Sequence, residues 1–133
     1  MVLLMPKITL FLVLLLTFAG CSTSRTGYFD SRRLGHNIFE ITFTGTPLFS
    51  KDEALNLCLQ RCAEVTVQRG YKYFTVADKD SGLYSYFHQN ALGEYRLTSI
   101  NTVAYNIISC TNERPAGKEE YLFIDAEKLM SNQ

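Results

Sequence analysis

Hydrophobic and polar residues alternate with a period of two at two places along this chain. Apolar residues at 39, 41 and 43 alternate with polar residues at 40, 42 and 44, which predicts a strand with one buried face. Residues 98–110 alternate as well, but both of their faces are about half apolar, so they predict an interior antiparallel strand. Aromatic and β-branched residues at 71–77 predict a further strand, ended by the polar residues 78–82.

A helical pattern covers residues 51–69. Ser50 is placed as the N-cap, Glu53 as its capping-box partner, and Gly70 closes the helix. The predicted buried stripe consists of Leu55, Cys58, Leu59, Cys62 and Val65. Because this helix joins the strand at 39–44 to the strand at 71–77, we expect a βαβ unit whose two strands pair in parallel.

The remaining pattern is weaker. Residues 83–97 predict a strand or an ordered loop before a turn at 90–93, and Asp125 is expected to cap a short helix that runs through Met130. The sequence therefore predicts an α+β fold, a small two-layer sandwich. In it one long helix over 51–69 packs on a mixed sheet of three or four strands, followed by a short C-terminal helix.

The N-terminus has the pattern of a secretory leader. Lys7 precedes an apolar stretch at 8–19, and the small pair Ala19 and Gly20 stands directly before Cys21. Residues 18–21 resemble a bacterial lipobox, which implies cleavage after Gly20 and covalent attachment of a diacylglycerol and an N-acyl chain to Cys21. An uncleaved anchor is the alternative, although a membrane-spanning helix needs about 20 apolar residues. A start at Met5 would give a more compact leader.

These signals divide the chain into three parts. We expect a lipoprotein signal peptide at 1–20, a lipidated N-terminus with a flexible tether at 21–37, and a single α+β domain at 38–133. By resemblance to enterobacterial sorting, Ser22 favours the outer membrane, facing the periplasm.

Basic and acidic residues number 13 each and form no run of one sign, so no nucleic-acid partner is expected.

Four segments carry a resemblance to a known family. They are residues 61–66 (RCAEVT), 70–74 (GYKYF), 104–108 (AYNII) and 124–129 (IDAEKL). They resemble the motifs R-A-A-E-x-T, G-[YF]-x-[YF]-F and Y-D-A-R-E-V-L of a family of small uncharacterised proteobacterial lipoproteins. Cys62, Cys110 and the pair at 123–124 depart from the family pattern. The resemblance implies localisation and fold, and it implies no activity.

The chain offers little catalytic chemistry. Its two histidines, His36 and His88, are far apart and stand at no metal-ligand spacing, so no metal site is expected. It contains neither a glycine-rich phosphate loop nor a nucleophile elbow. We therefore expect no enzymatic activity and no cofactor beyond the lipid on Cys21.

Three further cysteines leave two alternatives open. Cys58, Cys62 and Cys110 are an odd number in an oxidising compartment, so at least one of them stays unpaired. Cys62 and Cys110 are the expected pair if a disulfide forms. Otherwise all three are reduced and buried, where cysteine behaves as a small hydrophobe.

The leading functional prediction is a membrane-anchored envelope accessory protein that binds another envelope protein or the cell-wall polymer. It requires an exposed aromatic patch, which we place at Tyr84, Tyr86, Phe87 and Tyr95. The alternative is a periplasmic lipoprotein that binds a small ligand, which requires an apolar pocket that so short a chain can hardly enclose.

Overall fold

The computed structural model of the chain describes residues 25–117 and 122–132. Its strands are β1 (Gly27–Arg33), β2 (Ile38–Gly45), β3 (Tyr73–Gln89), β4 (Tyr95–Thr111) and β5 (Ile124–Asp125). Its helices, which we number within these residues, are α1 (Lys51–Gln68) and α2 (Ala126–Ser131). The predicted signal peptide, with Gly20 and Cys21, lies outside the described residues.

The five strands form one sheet in the order β1-β2-β4-β3-β5, and every pairing is antiparallel. β4 is the middle strand, paired with β2 on one edge and with β3 on the other. On one of its faces alternate residues are buried: Thr102, Ala104, Asn106, Ile108 and Cys110. The prediction of an interior antiparallel strand is confirmed for 102–109, where β4 pairs on both edges, whereas at 98–101 only β3 lies beside it.

Helix α1 begins and ends where the caps predict. The Ser50 hydroxyl accepts a hydrogen bond of 3.1 Å from the backbone N–H of Glu53, which satisfies one of the free donors of the first turn. Arg69 is the C-cap, and Gly70 follows with φ +86°, a left-handed conformation that glycine adopts without strain. The Glu53 carboxylate accepts a hydrogen bond from the exposed side chain of Arg25.

The buried face of α1 differs from the predicted stripe. Its buried residues are Ala54, Cys58, Cys62, Ala63, Val65 and Thr66, all small or medium in size. Leu55 and Leu59 are only partly buried at its flank. Small residues allow the helix axis to approach the sheet, where Phe39, Phe43 and Phe74 fill the core volume. The predicted stripe was based on hydrophobicity alone and therefore put Leu55 and Leu59 at the centre of the buried face instead of at its flank.

The prediction of a mixed sheet with a parallel βαβ unit is wrong, although the α+β class is confirmed. β2 and β3 run in the same direction, because each is antiparallel to β4, but β4 lies between them and they share no hydrogen bonds. The crossover through α1 therefore leaves a gap one strand wide. Two half-apolar faces let β4 fill that gap.

Part of the predicted flexible tether is a strand. β1 pairs with β2 from Gly27 opposite Gly45 to Arg33 opposite Phe39, so the ordered domain begins before residue 38. All seven residues of β1 are exposed, which is why they show no hydrophobic period. Gly27 permits the close approach, since a Cβ at that position would lie 2.5 Å from the Phe43 ring.

β3 does not end at residues 78–82 as predicted. The strand passes through a β-bulge at Ala77, between Val76 and Asp78, and continues to Gln89. The turn at 90–93 is confirmed. The Asn90 side-chain oxygen accepts hydrogen bonds from the backbone of Leu92 and Glu94, and Gly93 has φ +79°.

The C-terminal helix is confirmed. Asp125 is the N-cap of α2, and its carboxylate accepts a hydrogen bond of 3.2 Å from the backbone N–H of Lys128. Just before it, β5 pairs with Tyr73 and Phe74 at the outer edge of β3. Within residues 25–117 and 122–132, neither helix is long and apolar enough to cross a membrane.

Two phenylalanines of β3 test this packing. Phe74 is fully buried and Phe87 is 60% exposed. We expect Phe74→Ala to lower the free energy of unfolding by about 3–5 kcal/mol, because the lost side chain leaves a cavity. Phe87→Ala should change it by less than about 0.5 kcal/mol. Urea unfolding of both variants measures the difference, and equal effects would contradict the assigned core.

Candidate functional site

The hairpin of β3 and β4 extends beyond the rest of the sheet. β2 ends with Gly45 opposite Thr102, whereas β3 and β4 continue to pair from Leu83 opposite Thr102 to Gln89 opposite Tyr95. We call residues 83–101 the overhang. Among the described strands, β5 pairs with β3 only at 73–74, so the outer edge of β3 along the overhang has no strand beside it.

All four residues of the predicted aromatic patch lie on the overhang and are exposed. Their exposed fractions are 42% for Tyr84, 46% for Tyr86, 60% for Phe87 and 72% for Tyr95. They do not form one surface, because side chains alternate between the two faces of a strand. Tyr84 and Tyr86 lie on the face away from α1, whereas Phe87 and Tyr95 lie on the face that α1 covers further along.

The α1-side face of the overhang is largely apolar, with Ser85 as a small polar residue between Leu83 and Phe87. Besides Phe87 and Tyr95 it presents Leu83, Leu97 and Ile100, exposed by 60%, 52% and 40%. Sequence reasoning missed these three residues because it searched for aromatic rings. Strand parity could have found Leu83 and Phe87, which are four residues apart and therefore share a face.

The open edge of the overhang carries few charges. Asp78, Lys79 and Asp80 precede it, but residues 81–89 (SGLYSYFHQ) contain no Asp, Glu, Lys or Arg. Natural sheets usually protect an edge strand with charged side chains, proline or a covering element, because unpaired backbone groups bind other strands. This segment has neither charge nor proline.

A cleft of about 600 Å³ opens between the N-terminal half of α1 and the sheet. Its apolar walls include Leu55, Leu59, Val76 and Ile124, and its polar lining residues include Asp52, Lys79 and Asn106. The cleft thus combines an apolar surface with a small number of polar groups, as small-molecule sites do.

The bulge at Ala77 decides which side chains face this cleft. Ala77 has no partner in the register, so Val76 lies opposite Ile108 and Asp78 lies opposite Ile107. Lys79 is thereby placed opposite Asn106 on the α1 side. Asp78 faces the other side, where its carboxylate accepts a hydrogen bond of 3.1 Å from the Tyr105 hydroxyl and raises the pKa of Tyr105.

Asn106 is an unusual residue for the core. It is 1% exposed, and its side-chain Nδ2 has no hydrogen-bond acceptor among the described residues. Its amide lies near the Cys58 thiol, whose pKa is lowered by Cys62 and then, against the effect of burial, by Asn106. Leaving a buried donor without a partner is costly, so such groups call for an explanation.

The three cysteines of the domain are buried free thiols. Of the two alternatives that the sequence left open, the structure has the reduced one, without a Cys62–Cys110 disulfide. Cys58 donates to the carbonyl of Ile41 at 3.2 Å, and the Cys110 sulfur lies 3.6 Å from the Thr66 hydroxyl. The neighbouring Cys58 thiol, followed by burial, raises the pKa of Cys62. Burial also raises the pKa of Cys110, against the opposing effect of Thr66.

Within the described ranges, no group of three or more His, Cys, Asp or Glu side chains could hold a metal ion.

Comparison with protein-family models, with curated proteins and with solved structures gave no match. The family resemblance of the motifs therefore stays a prediction.

The thiols provide a direct test of the core. We expect iodoacetamide to leave Cys58, Cys62 and Cys110 unmodified in the native protein and to alkylate all three in urea without reductant. All three thiols are buried, so the reagent cannot reach them, and the raised pKa values of Cys62 and Cys110 lower their thiolate content further. Mass spectrometry of the peptides measures the modification, and a non-reduced peptide linking Cys62 to Cys110 would contradict it.

The same pKa shifts predict how stability depends on pH. In the unfolded chain the thiols ionise near pH 8.5, whereas in the folded protein the pKa values of Cys62 and Cys110 are raised and that of Cys58 is lowered. The contribution of Cys62 and Cys110 to stability is therefore present below about pH 8.5 and is lost as the pH rises above it. Cys110→Ala should reduce this slope in urea unfolding.

Proposed function

We propose that the chain is a membrane-anchored lipoprotein of the bacterial envelope that has no enzymatic activity. We propose further that it binds an extended segment of a protein partner along the open edge of the overhang. The observation that carries this proposal is the uncharged edge at 81–89 with large apolar side chains on both faces.

Strand addition explains this combination of features. A peptide that pairs with an exposed edge gains main-chain hydrogen bonds, and its alternate side chains pack on the two faces. On one face they would meet Tyr84 and Tyr86, and on the other Leu83 and Phe87. A segment of nine residues offers an edge of roughly 30 Å.

The place where the chain enters the domain supports a partner at the membrane. β1 starts with Gly27 opposite Gly45, at the same end of the sheet where β2 stops and the overhang begins. Cys21 stands four residues before Arg25, and four residues span at most about 14 Å. An acylated Cys21 would therefore hold the overhang on the membrane side of the domain. Partners in or close to the outer membrane fit this orientation.

The anchor itself is tested by Cys21→Ser. We expect this variant to lose incorporation of a fatty-acid analogue, because the acylated thiol is absent. It should also lose its attachment to the membrane, because each buried methylene of the acyl chains contributes about 0.8 kcal/mol to membrane affinity. Metabolic labelling measures the incorporation, and fractionation of membranes measures the attachment. Equal labelling of the variant and the native chain would contradict the lipoprotein assignment.

The open edge is tested by Ser85→Lys, with Ser31→Lys as the matched control. Both serines are exposed on edge strands, Ser85 on β3 and Ser31 on β1. We expect a photo-crosslinker at Tyr86 to capture a defined envelope protein in the native chain. Ser85→Lys should reduce that product by roughly tenfold, because a charge on the edge disfavours strand addition. Ser31→Lys should leave it unchanged.

Three results would contradict the proposal. One is a product that Ser85→Lys does not affect, which would place the contact elsewhere. Another is a crosslink to lipid alone, which would make the overhang a membrane contact. The third is a product composed of two copies of this chain, which would make the edge a dimer interface.

A further inference from the structure

We infer that the cleft beside α1 binds a small amphiphilic monocarboxylic acid, with its carboxylate between Asn106 and Lys79 and its apolar body against the leucines of α1. This site is separate from the overhang and is independent of the proposed strand addition. It would give the protein a second, small-molecule binding activity.

The polar end of the site is a pair of donors that lack an acceptor. Asn106 and Lys79 are direct cross-strand neighbours, and such neighbours have Cβ atoms about 4.5–5.5 Å apart. The Asn106 Nδ2 has no acceptor, and the Lys79 ammonium forms no salt bridge with any described residue. A carboxylate has two oxygens and accepts only, so one group can satisfy both donors.

The apolar end of the site faces α1 and β5. Leu55, Leu59, Val76 and Ile124 line the cleft and are partly buried against the core. A volume of about 600 Å³ is within the range of small-molecule sites. Burying an apolar ligand here would cover the flank of α1 that the protein itself leaves half exposed.

Asp52 limits the charge of the ligand. It lines the cleft from the first turn of α1, opposite the strand that carries Lys79. One ligand carboxylate can be balanced by Lys79, but a second would be repelled by Asp52. The arrangement therefore selects monocarboxylic acids over dicarboxylic acids.

The bulge at Ala77 determines which charge β3 presents to the cleft. Val76 and Lys79 both face the cleft because the extra residue shifts the alternation of β3 between them. Regular alternation from Val76 would place Asp78 and Asp80 on this face, and the strand would present carboxylates beside Asn106. Bulges commonly re-aim a side chain in this way next to functional sites.

Equilibrium dialysis of the full chain in phospholipid nanodiscs tests the inference, with radiolabelled 4-phenylbutyrate as the probe and empty nanodiscs as the blank. We expect saturable binding of the acid. The alcohol 4-phenylbutanol has the same apolar body without the charge, and it should bind roughly tenfold more weakly. Phenylsuccinate, a dicarboxylate, should bind more weakly as well.

Two variants assign the binding to the site. Asn106→Leu should reduce affinity for the acid roughly tenfold while the thermal midpoint stays the same or rises, because a buried donor without a partner is removed. Lys79→Met should erase the preference for the acid over the alcohol. Lys72→Met removes an exposed lysine outside the cleft and should leave binding unchanged.

Lys79 is exposed, so its replacement keeps the test valid even if Asn106→Leu disturbs the fold. The inference is overturned if the acid shows no saturable binding or if the acid and the alcohol bind equally to the native chain. It is also overturned if Lys79→Met binds the acid as tightly as Lys72→Met does.

Discussion

Hydrogen bonding along both edges of β4 is the constraint on which the rest of the structure depends. The strand pairs with β2 and β3 and lies under α1. Its buried face includes Ala104, which is small enough for the small residues of α1 to approach closely. The strand also extends past β2, and this excess length creates the overhang. One end of β4 thus belongs to the core, and its other end belongs to the exposed hairpin.

Local chemistry allowed several elements to be predicted from the sequence. Ser50 and Asp125 cap their helices as expected, because a cap is a contact between near neighbours in the chain. The order of the strands could not be predicted, since the alternation at 98–110 indicates burial but not which strands lie alongside. β1 was missed because an exposed edge strand requires no hydrophobic pattern.

The candidate sites were predictable to different degrees. The aromatic residues of the overhang were predicted from the sequence. The prediction treated them as one patch, although Tyr86 and Phe87 lie on opposite faces of β3. By strand alternation Asn106 shares a face with Ala104 and Ile108, and a polar residue on that apolar face could have indicated a site. The bulge at Ala77 has no clear sequence signature, so the position of Lys79 required the structure.

β2 and β4 are neighbours in the sheet but lie far apart in the sequence, which affects how the protein folds. Asn37, just before β2, donates a hydrogen bond to the carbonyl of Cys110, and the two residues are 73 positions apart in the chain. Pairing over such a distance is slow compared with formation of a helix. The buried positions of Cys58 and Cys62 depend on the sheet that β4 completes. If the proposed signal peptide directs the chain to an oxidising compartment, oxidation of these thiols would compete with the pairing of β2 and β4.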